Sequence, residues 1–528
     1  MRPLHNPVAS CLIVVAMALA PAAASAVVKL PPFFSDHMVL QRDGKAPVWG
    51  TADPGEQITV RFRDQAPATK ADAQGRWRVE LTNLKAGGPD ELSVVGSNTV
   101  KFGDVLVGEV WVGSGQSNMA GNVRGYSKND PVLADLAAKT HSQIRGCSAI
   151  KGWTVATPEN NAAYSALLFS FAVRLNEQLD VPVGMMLGAV GGTPSGAWTP
   201  AEAVAEDAAC QALIAEYAQG YDELLKDYET RIMPAWRKGA EQAKAAGRAV
   251  GRAPLEPPKP GTARNRTPGY LYDQHIKPLV GYGIRGVLWD QGEARTQVGG
   301  VDQFTMMGAL IRGWRKAWGL GEFPFIYVQK PSGGGCAFDP TNPVNTASEK
   351  FEPLPKAQPG QVDRDVRADF AGRDVENHIR IMSYPNVGMA ISSDLGPMTH
   401  PVNKSGYGTR AAAVALGMAY GRPVEYYGPL YDSHKIEGNK IRIAFTHVGK
   451  GLVQKHGDKL QGFIIAGADK NFVWAEAAID GDTVVVSSPE VPQPTAVRYA
   501  WAYKRPWANL FNQDGLPAVP FRTDRDAK

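Results

Sequence analysis

From Val105 to Met119 the chain reads VLVGEVWVGSGQSNM, an apolar run that ends in a glycine-rich turn with Ser117 at its tip. From this run to about Gly421, apolar strands alternate with amphipathic helices, which is the pattern of a parallel α/β sheet. Tyr164, Leu167, Leu168, Phe171 and Leu175 share one helical face ahead of the strand Val181–Val190. Phe304, Met307, Ile311, Trp314 and Trp318 share another ahead of Phe325–Val328. Both faces are read as core.

At 528 residues the chain exceeds what one core serves, and about three domains of roughly 150 residues are expected. Residues 27–103 show short alternating runs (Ala46–Gly50, Gln57–Arg63, Gly75–Leu81, Glu91–Val95) between turn clusters such as Asp53-Pro54-Gly55. That spacing predicts an N-terminal β-sandwich-like domain. Residues 104–422 form the α/β domain, with insertions near 201–270 and 331–380 of the kind that wall a ligand site. Residues 423–528 return to a β pattern in Lys440–Phe445, Gly462–Ile465, Thr483–Ser488 and Val497–Tyr503.

With 44% apolar residues, 20% charged residues and a formal charge of +4, the chain carries no electrostatic footprint for nucleic acid and no polybasic membrane patch. Arg2, the apolar stretch Val8–Ala20 and Ala24-Ser25-Ala26 make a secretory signal peptide cleaved after Ala26, and so a secreted or periplasmic protein without a membrane anchor. Cys147, Cys210 and Cys336 then remain, too few and too far apart for a disulfide framework, though one bridge is open to them. No ligand spacing suggests a metal, and no cofactor is expected.

A serine delivered by a strand into a tight glycine turn is how hydrolases expose a nucleophile, because small neighbours let an acyl group approach. The G-x-S-x-G elbow is not matched, since Met119 stands where its second glycine belongs. A serine alone in such a turn has no chemistry, so partners must come from other strand ends, where open α/β sheets place their ligands. Three segments qualify. In LGAVGGTPSGAW (187–198), Gly191 and Gly192 free backbone N–H groups for an oxyanion hole. In RGVLWDQGEAR (285–295), Gln291 offers a side-chain amide to the same oxyanion, while Glu293 can orient a neighbour or bind a sugar hydroxyl. In VGMAISSDLGPMTHPVNKSGYGTR (387–410), the strand Val387–Ser393 leads to Asp394 and then to His400, ahead of a helix beginning near Lys404. A histidine there is placed to act as base toward Ser117.

Taken together, these blocks resemble the SGNH/GDSL hydrolase superfamily and, more closely, carbohydrate O-acetylesterases of the sialate O-acetylesterase type. GEVWVGSGQSNM resembles the nucleophile signature, and FSDHMVLQR (34–42), LYDQHIKPLVGYGIRGVLWDQGE (271–293), THPVNKSGYGTRAA (399–412) and VRYAWAYKRPWANLFNQDGLPAVPFRTD (497–524) extend the likeness over nearly the whole mature chain. The resemblance implies an SGNH three-layer α/β/α domain flanked by β domains, and a cofactor-free serine esterase acting on an acetylated carbohydrate. Acetylated sialic acid is the first substrate reading, with acetylxylan or another glycan the alternative. It implies Ser117 as nucleophile, His400 as general base, and the Ser117 N–H, the Gly191-Gly192 pair and Gln291 as the oxyanion hole. Asn118, Glu293 and Arg295 become substrate contacts. Relatives place an aspartate two or three residues before the histidine, where this chain has Met398 and Pro397. Asp394 is the chosen third member, with Glu293 or a backbone carbonyl as alternatives. The family's W-Y-Q-G-E-S-N block reads W-D-Q-G-E-A-R here, bringing Asp290 and Arg295 toward the pocket. A non-catalytic glycan-binding protein, using Trp198, Trp474 and Trp507, is the rival class.

Overall fold

The computed structural model describes residues 27–148, 152–354, 369–397 and 399–524. The expected export signal, 1–26, lies outside them. The organising element is the 17-residue strand Thr99–Gly115. Its first half pairs antiparallel with Gly87–Val95, and its second half is the middle of a seven-stranded path. In spatial order that path runs Val387–Ala390, Phe325–Val328, Gly286–Asp290, Thr99–Gly115, Val183–Ala189, His141–Ser148 and Gly152–Ala156. All neighbours are parallel except the last pair, so the sheet is mixed. The antiparallel pair His141–Ser148 and Gly152–Ala156 has no counterpart in the sequence reading, because its polar, irregular composition hides the alternation.

Helices cover both faces of the sheet. On one, Trp111 packs edge-on against Phe171 of helix Ala166–Leu179, ring centroids 5.0 Å apart, and its indole N–H donates to the Tyr420 hydroxyl of helix Lys404–Tyr420 at 3.1 Å. On the other, Trp289 meets Trp314 of helix Gln303–Trp318, centroids 5.9 Å apart. Ser165, Asp302 and Asn403 cap these three helices by accepting the backbone N–H groups of Leu168, Thr305 and Gly406, contacts typically worth about 1 kcal/mol each.

The expected division at 103–104 falls inside the long strand. Val48, Ile58, Val60, Leu81 and Leu92 of the N-terminal strands share one buried core with Val110, Trp111 and Val112. Glu109, wholly buried, fastens the same junction: it accepts from Gln41 Nε2 at 3.0 Å and Arg285 Nε at 2.8 Å, and it pairs with Arg42. Burial alone would raise its carboxyl, but Arg285, Gln41 and Arg42 hold it below the usual range. The C-terminal strands form two four-stranded antiparallel sheets around a second core that includes Ile441, Ile443, Phe463, Val484, Val486 and Tyr499. Cys147, Cys210 and Cys336 are all buried, and among the described residues no disulfide links one of them to another. Among the described residues no helix is long and apolar enough to cross a membrane.

Candidate active site

The strands Thr99–Gly115, Val183–Ala189 and Gly286–Asp290 end level with one another, with Gly115 opposite both Ala189 and Asp290. Gly115 has φ +124°, and a Cβ there would lie 2.1 Å from the Asp290 carbonyl oxygen, so only glycine lets the chain turn here. Two residues later Ser117 begins the short helix Ser117–Ala120. The N–H groups of Met119 and Ala120 bond back to Gln116 and that of Gly121 to Ser117. This leaves the Ser117 and Asn118 N–H groups at the first turn, where no helical acceptor exists.

Across 283 positions of sequence, His400 Nε2 lies 2.8 Å from Ser117 Oγ. The residue before it, Thr399, takes φ +73°, a strained backbone for a β-branched side chain. Two bonds fix it: its carbonyl accepts from Asn118 Nδ2 at 2.9 Å, and its N–H donates to the Ser332 carbonyl at 3.3 Å. Lys404 Nζ bonds both Asn118 Oδ1 and the Pro401 carbonyl at 2.7 Å. The residues flanking His400 are thus tied to the residue following Ser117. Burial lowers the Lys404 ammonium to about 7, with Lys330 adding to the effect.

Behind Ser117 lies a buried charge cluster that the sequence reading missed. Lys330 Nζ spends its three donors on Asp290 Oδ1 at 2.6 Å, Ser332 Oγ at 2.7 Å and Glu293 Oε1 at 3.1 Å. Ser332 Oγ donates to Glu293 at 2.9 Å, and Gln116 Nε2 donates to the other Glu293 oxygen. Burial opposes ionisation of Glu293, yet Lys330 and these donors hold its carboxyl low; burial pushes Asp290 up. His378 stacks behind the cluster, its Nδ1 accepting the Lys330 N–H at 3.2 Å, and burial lowers its imidazole to about 3. Lys330 and Ser332 follow the predicted strand Phe325–Val328 directly, so their position past a strand end was the available signal.

Several expected roles change. Asp394 does not reach His400, because both its oxygens are taken by the Arg410 guanidinium, one at 2.6 Å. Ser117 is the hydrogen-bond partner of His400 among the described residues. Gln291 cannot serve as an oxyanion donor in this arrangement: its amide N–H groups go to the carbonyls of Arg295 at 2.9 Å and Thr193 at 3.3 Å, and Gln303 donates to its oxygen at 3.0 Å. It fixes the turn that follows. Asn118 is fully buried and binds the Thr399 loop rather than facing a ligand. Asp290 is buried behind Lys330 instead of lining a pocket. Of the two glycines, Gly191 stands beside Ser117, where an added Cβ would be 3.7 Å from the serine Cβ, while Gly192 opens to solvent. Trp198 and Trp507 are buried and Trp474 packs edge-on against Trp507, so none offers a platform for a sugar.

Next to the pair lies a pocket of about 310 Å³ whose lining includes Glu293, Arg295, Lys330, Asp374, Thr399 and Tyr503. A wider cleft of about 640 Å³, lined by residues such as Glu202, Tyr272 and Arg312, contains none of these.

Residues 107–230 match the family model of a carbohydrate esterase, sialic acid-specific acetylesterase. Sialate O-acetylesterase of Rattus norvegicus is 27% identical over 93% of each chain, and that of Homo sapiens 25% identical over 93% of this chain and 91% of its own. A carbohydrate acetylesterase from Xanthomonas citri of known crystal structure is 30% identical, superposes with a TM-score of 0.72 and is covered over its whole length by 95% of this chain. A sheet that presents a serine to a histidine, with likeness along nearly the whole chain, has one consistent meaning: the protein belongs to the carbohydrate acetylesterase family that includes the sialate O-acetylesterases, and is a carboxylic ester hydrolase.

Proposed function

We propose that this protein is an exported serine esterase that removes O-acetyl groups from a carbohydrate, with Ser117 as nucleophile and His400 as general base in a dyad. The observation that carries the reading is the 2.8 Å bond between Nε2 of His400 and Oγ of Ser117. His400 takes the hydroxyl proton as Oγ attacks the acetyl carbonyl, and the tetrahedral oxyanion forms against the N–H groups of Ser117 and Gly191. Collapse of this intermediate breaks the ester C–O bond, the imidazolium protonates the departing sugar alcohol, and an acetyl-serine remains. Water, deprotonated by the same imidazole, then attacks the acetyl-enzyme; collapse of the second tetrahedral intermediate breaks the Oγ–C bond, the imidazolium returns its proton to Ser117 Oγ, and acetate leaves. Asn118, Lys404 and the strained Thr399 orient the imidazole through the residues on either side of it. The SGNH three-layer description of the α/β region and the export signal at residues 1–26 belong to the same reading.

The test is turnover of p-nitrophenyl acetate and of O-acetylated oligosaccharides by the purified protein. Wild type is expected to release acetate from both and Ser117→Ala from neither; equal turnover by the two proteins overturns the assignment.

A further inference from the structure

Three separate parts of the chain meet in the pocket beside Ser117. Arg295 comes from the turn after the strand Gly286–Asp290, Asp374 from the helix Asp369–Arg380 in the second insertion, and Tyr503 from the C-terminal β region. The Asp374 carboxylate joins the other two: Arg295 Nη2 donates to its Oδ2 at 3.1 Å and the Tyr503 hydroxyl donates to the same oxygen at 2.6 Å. The helix is clamped in place from both sides. Toward the sheet, the Tyr327 hydroxyl donates to the His378 carbonyl at 2.6 Å. Toward the C-terminal region, Arg522 Nε donates to Glu376 at 3.0 Å, and Gly372 lies so close to Trp501 that a Cβ would overlap its indole. Arg295 in turn has φ +54° and is held there by the Gln291 amide on its carbonyl. A strained residue supported in this way presents its guanidinium at a fixed place. At the pocket mouth the Arg295 and Asp374 side chains remain 55% and 36% exposed, so a ligand can reach both.

We propose, building on the esterase reading above, that this pocket holds the sugar that leaves as the alcohol, and that it reads ring hydroxyls rather than a sugar carboxylate. A carboxylate that accepts and a guanidinium that donates, side by side, match neighbouring hydroxyls, each of which can do both. Charge decides against an acid. Arg295 faces Asp374, and Lys330 is committed to Asp290 and Glu293, so among the described residues the positive charges lining the pocket are each matched by a buried or neighbouring carboxylate. An anionic sugar brought to Arg295 also meets the repulsion of the Asp374 carboxylate beside it. The preferred substrate class is therefore a neutral O-acetylated sugar, and the C-terminal β region shares in recognising it through Tyr503.

The experiment measures binding rather than turnover, using full-length protein made inactive by Ser117→Ala. Calorimetric titration with an O-acetylated xylo-oligosaccharide and with 9-O-acetyl sialic acid compares this background with the same protein carrying Asp374→Asn or Tyr503→Phe. Asp374→Asn is expected to weaken the neutral sugar at least tenfold while tightening the acidic one, since the carboxylate that opposes it is gone. Tyr503→Phe is expected to weaken the neutral sugar about threefold. Loss of affinity for both sugars together would assign Asp374 a merely structural role and overturn the proposal, as would unchanged affinity for the neutral one. The esterase reading fails separately, if Ser117→Ala keeps its turnover of p-nitrophenyl acetate.

Discussion

Ser117 is delivered by the middle strand of the sheet and backed by Gln116, Glu293, Lys330 and Asp290, a chain of bonds almost wholly buried. His400 stands exposed on a loop, and what fixes it is the grip of Asn118 and Lys404 on the residues either side. One of the two proposed reacting groups is held by the core and the other by a clamp. The difference implies that damage to the groups supporting the serine lowers stability, whereas damage to the histidine side changes the chemistry first.

The largest effect separates the reacting groups from their supports. Ser117→Ala and His400→Ala should each reduce kcat for acetyl ester hydrolysis by about 10³-fold or more, with thermal unfolding little changed, and steady-state kinetics beside calorimetry checks both halves. Lys330→Met should do the reverse. It leaves the buried Asp290 carboxylate and the Glu293 carboxylate at the pocket wall without their shared cation, and breaking one partner of a buried pair costs about 3–5 kcal/mol, so the midpoint of denaturant unfolding should fall sharply.

The clamp gives a pH signature. The unfolded chain keeps the Lys404 proton up to its ordinary value of 10.5, while the folded protein releases it near 7. Between those values the unfolded state binds more protons, so this group adds stability as pH rises, by about 2 kcal/mol from pH 7 to pH 9. Below pH 7 both states are protonated and the contribution is flat. Unfolding free energies of wild type and Lys404→Met, measured across that range, should differ by this slope. The smallest effect concerns Asp394. Because it serves Arg410 rather than His400, Asp394→Asn should cost roughly 1–2 kcal/mol of stability and leave the pH profile of kcat/KM in place. A collapse of activity comparable to that of His400→Ala would restore it to the catalytic group.

What could be read from the sequence follows the same division. Elements fixed by the burial of one face were visible: the strand Phe325–Val328 has the bounds that its apolar run dictates, and the helix expected near Lys404 starts there with Asn403 as its cap. Ser117 and His400 could be singled out as candidates because Ser117 lies two residues past a strand and His400 on the loop between the strand Val387–Ala390 and the helix Lys404–Tyr420, where the topology leaves few places to go. Asp394 and Gln291 also lie past strand ends, but which partner a side chain takes is decided by neighbours far away in sequence. Arg410 reaches Asp394 from one helix, and the carbonyls of Thr193 and Arg295 engage the Gln291 amide from two loops. Lys330 was hidden for the opposite reason. A lysine after a strand reads as a solvated residue until two carboxylates from another strand end are placed around it.

Active-site labelling with a fluorophosphonate, followed by peptide mass mapping, tests the Ser117–His400 assignment most directly. The account predicts a single adduct on the peptide containing Ser117, formed rapidly in wild type and at a small fraction of that rate in His400→Ala. An adduct on any other residue, or equal labelling rates in the two proteins, would contradict it.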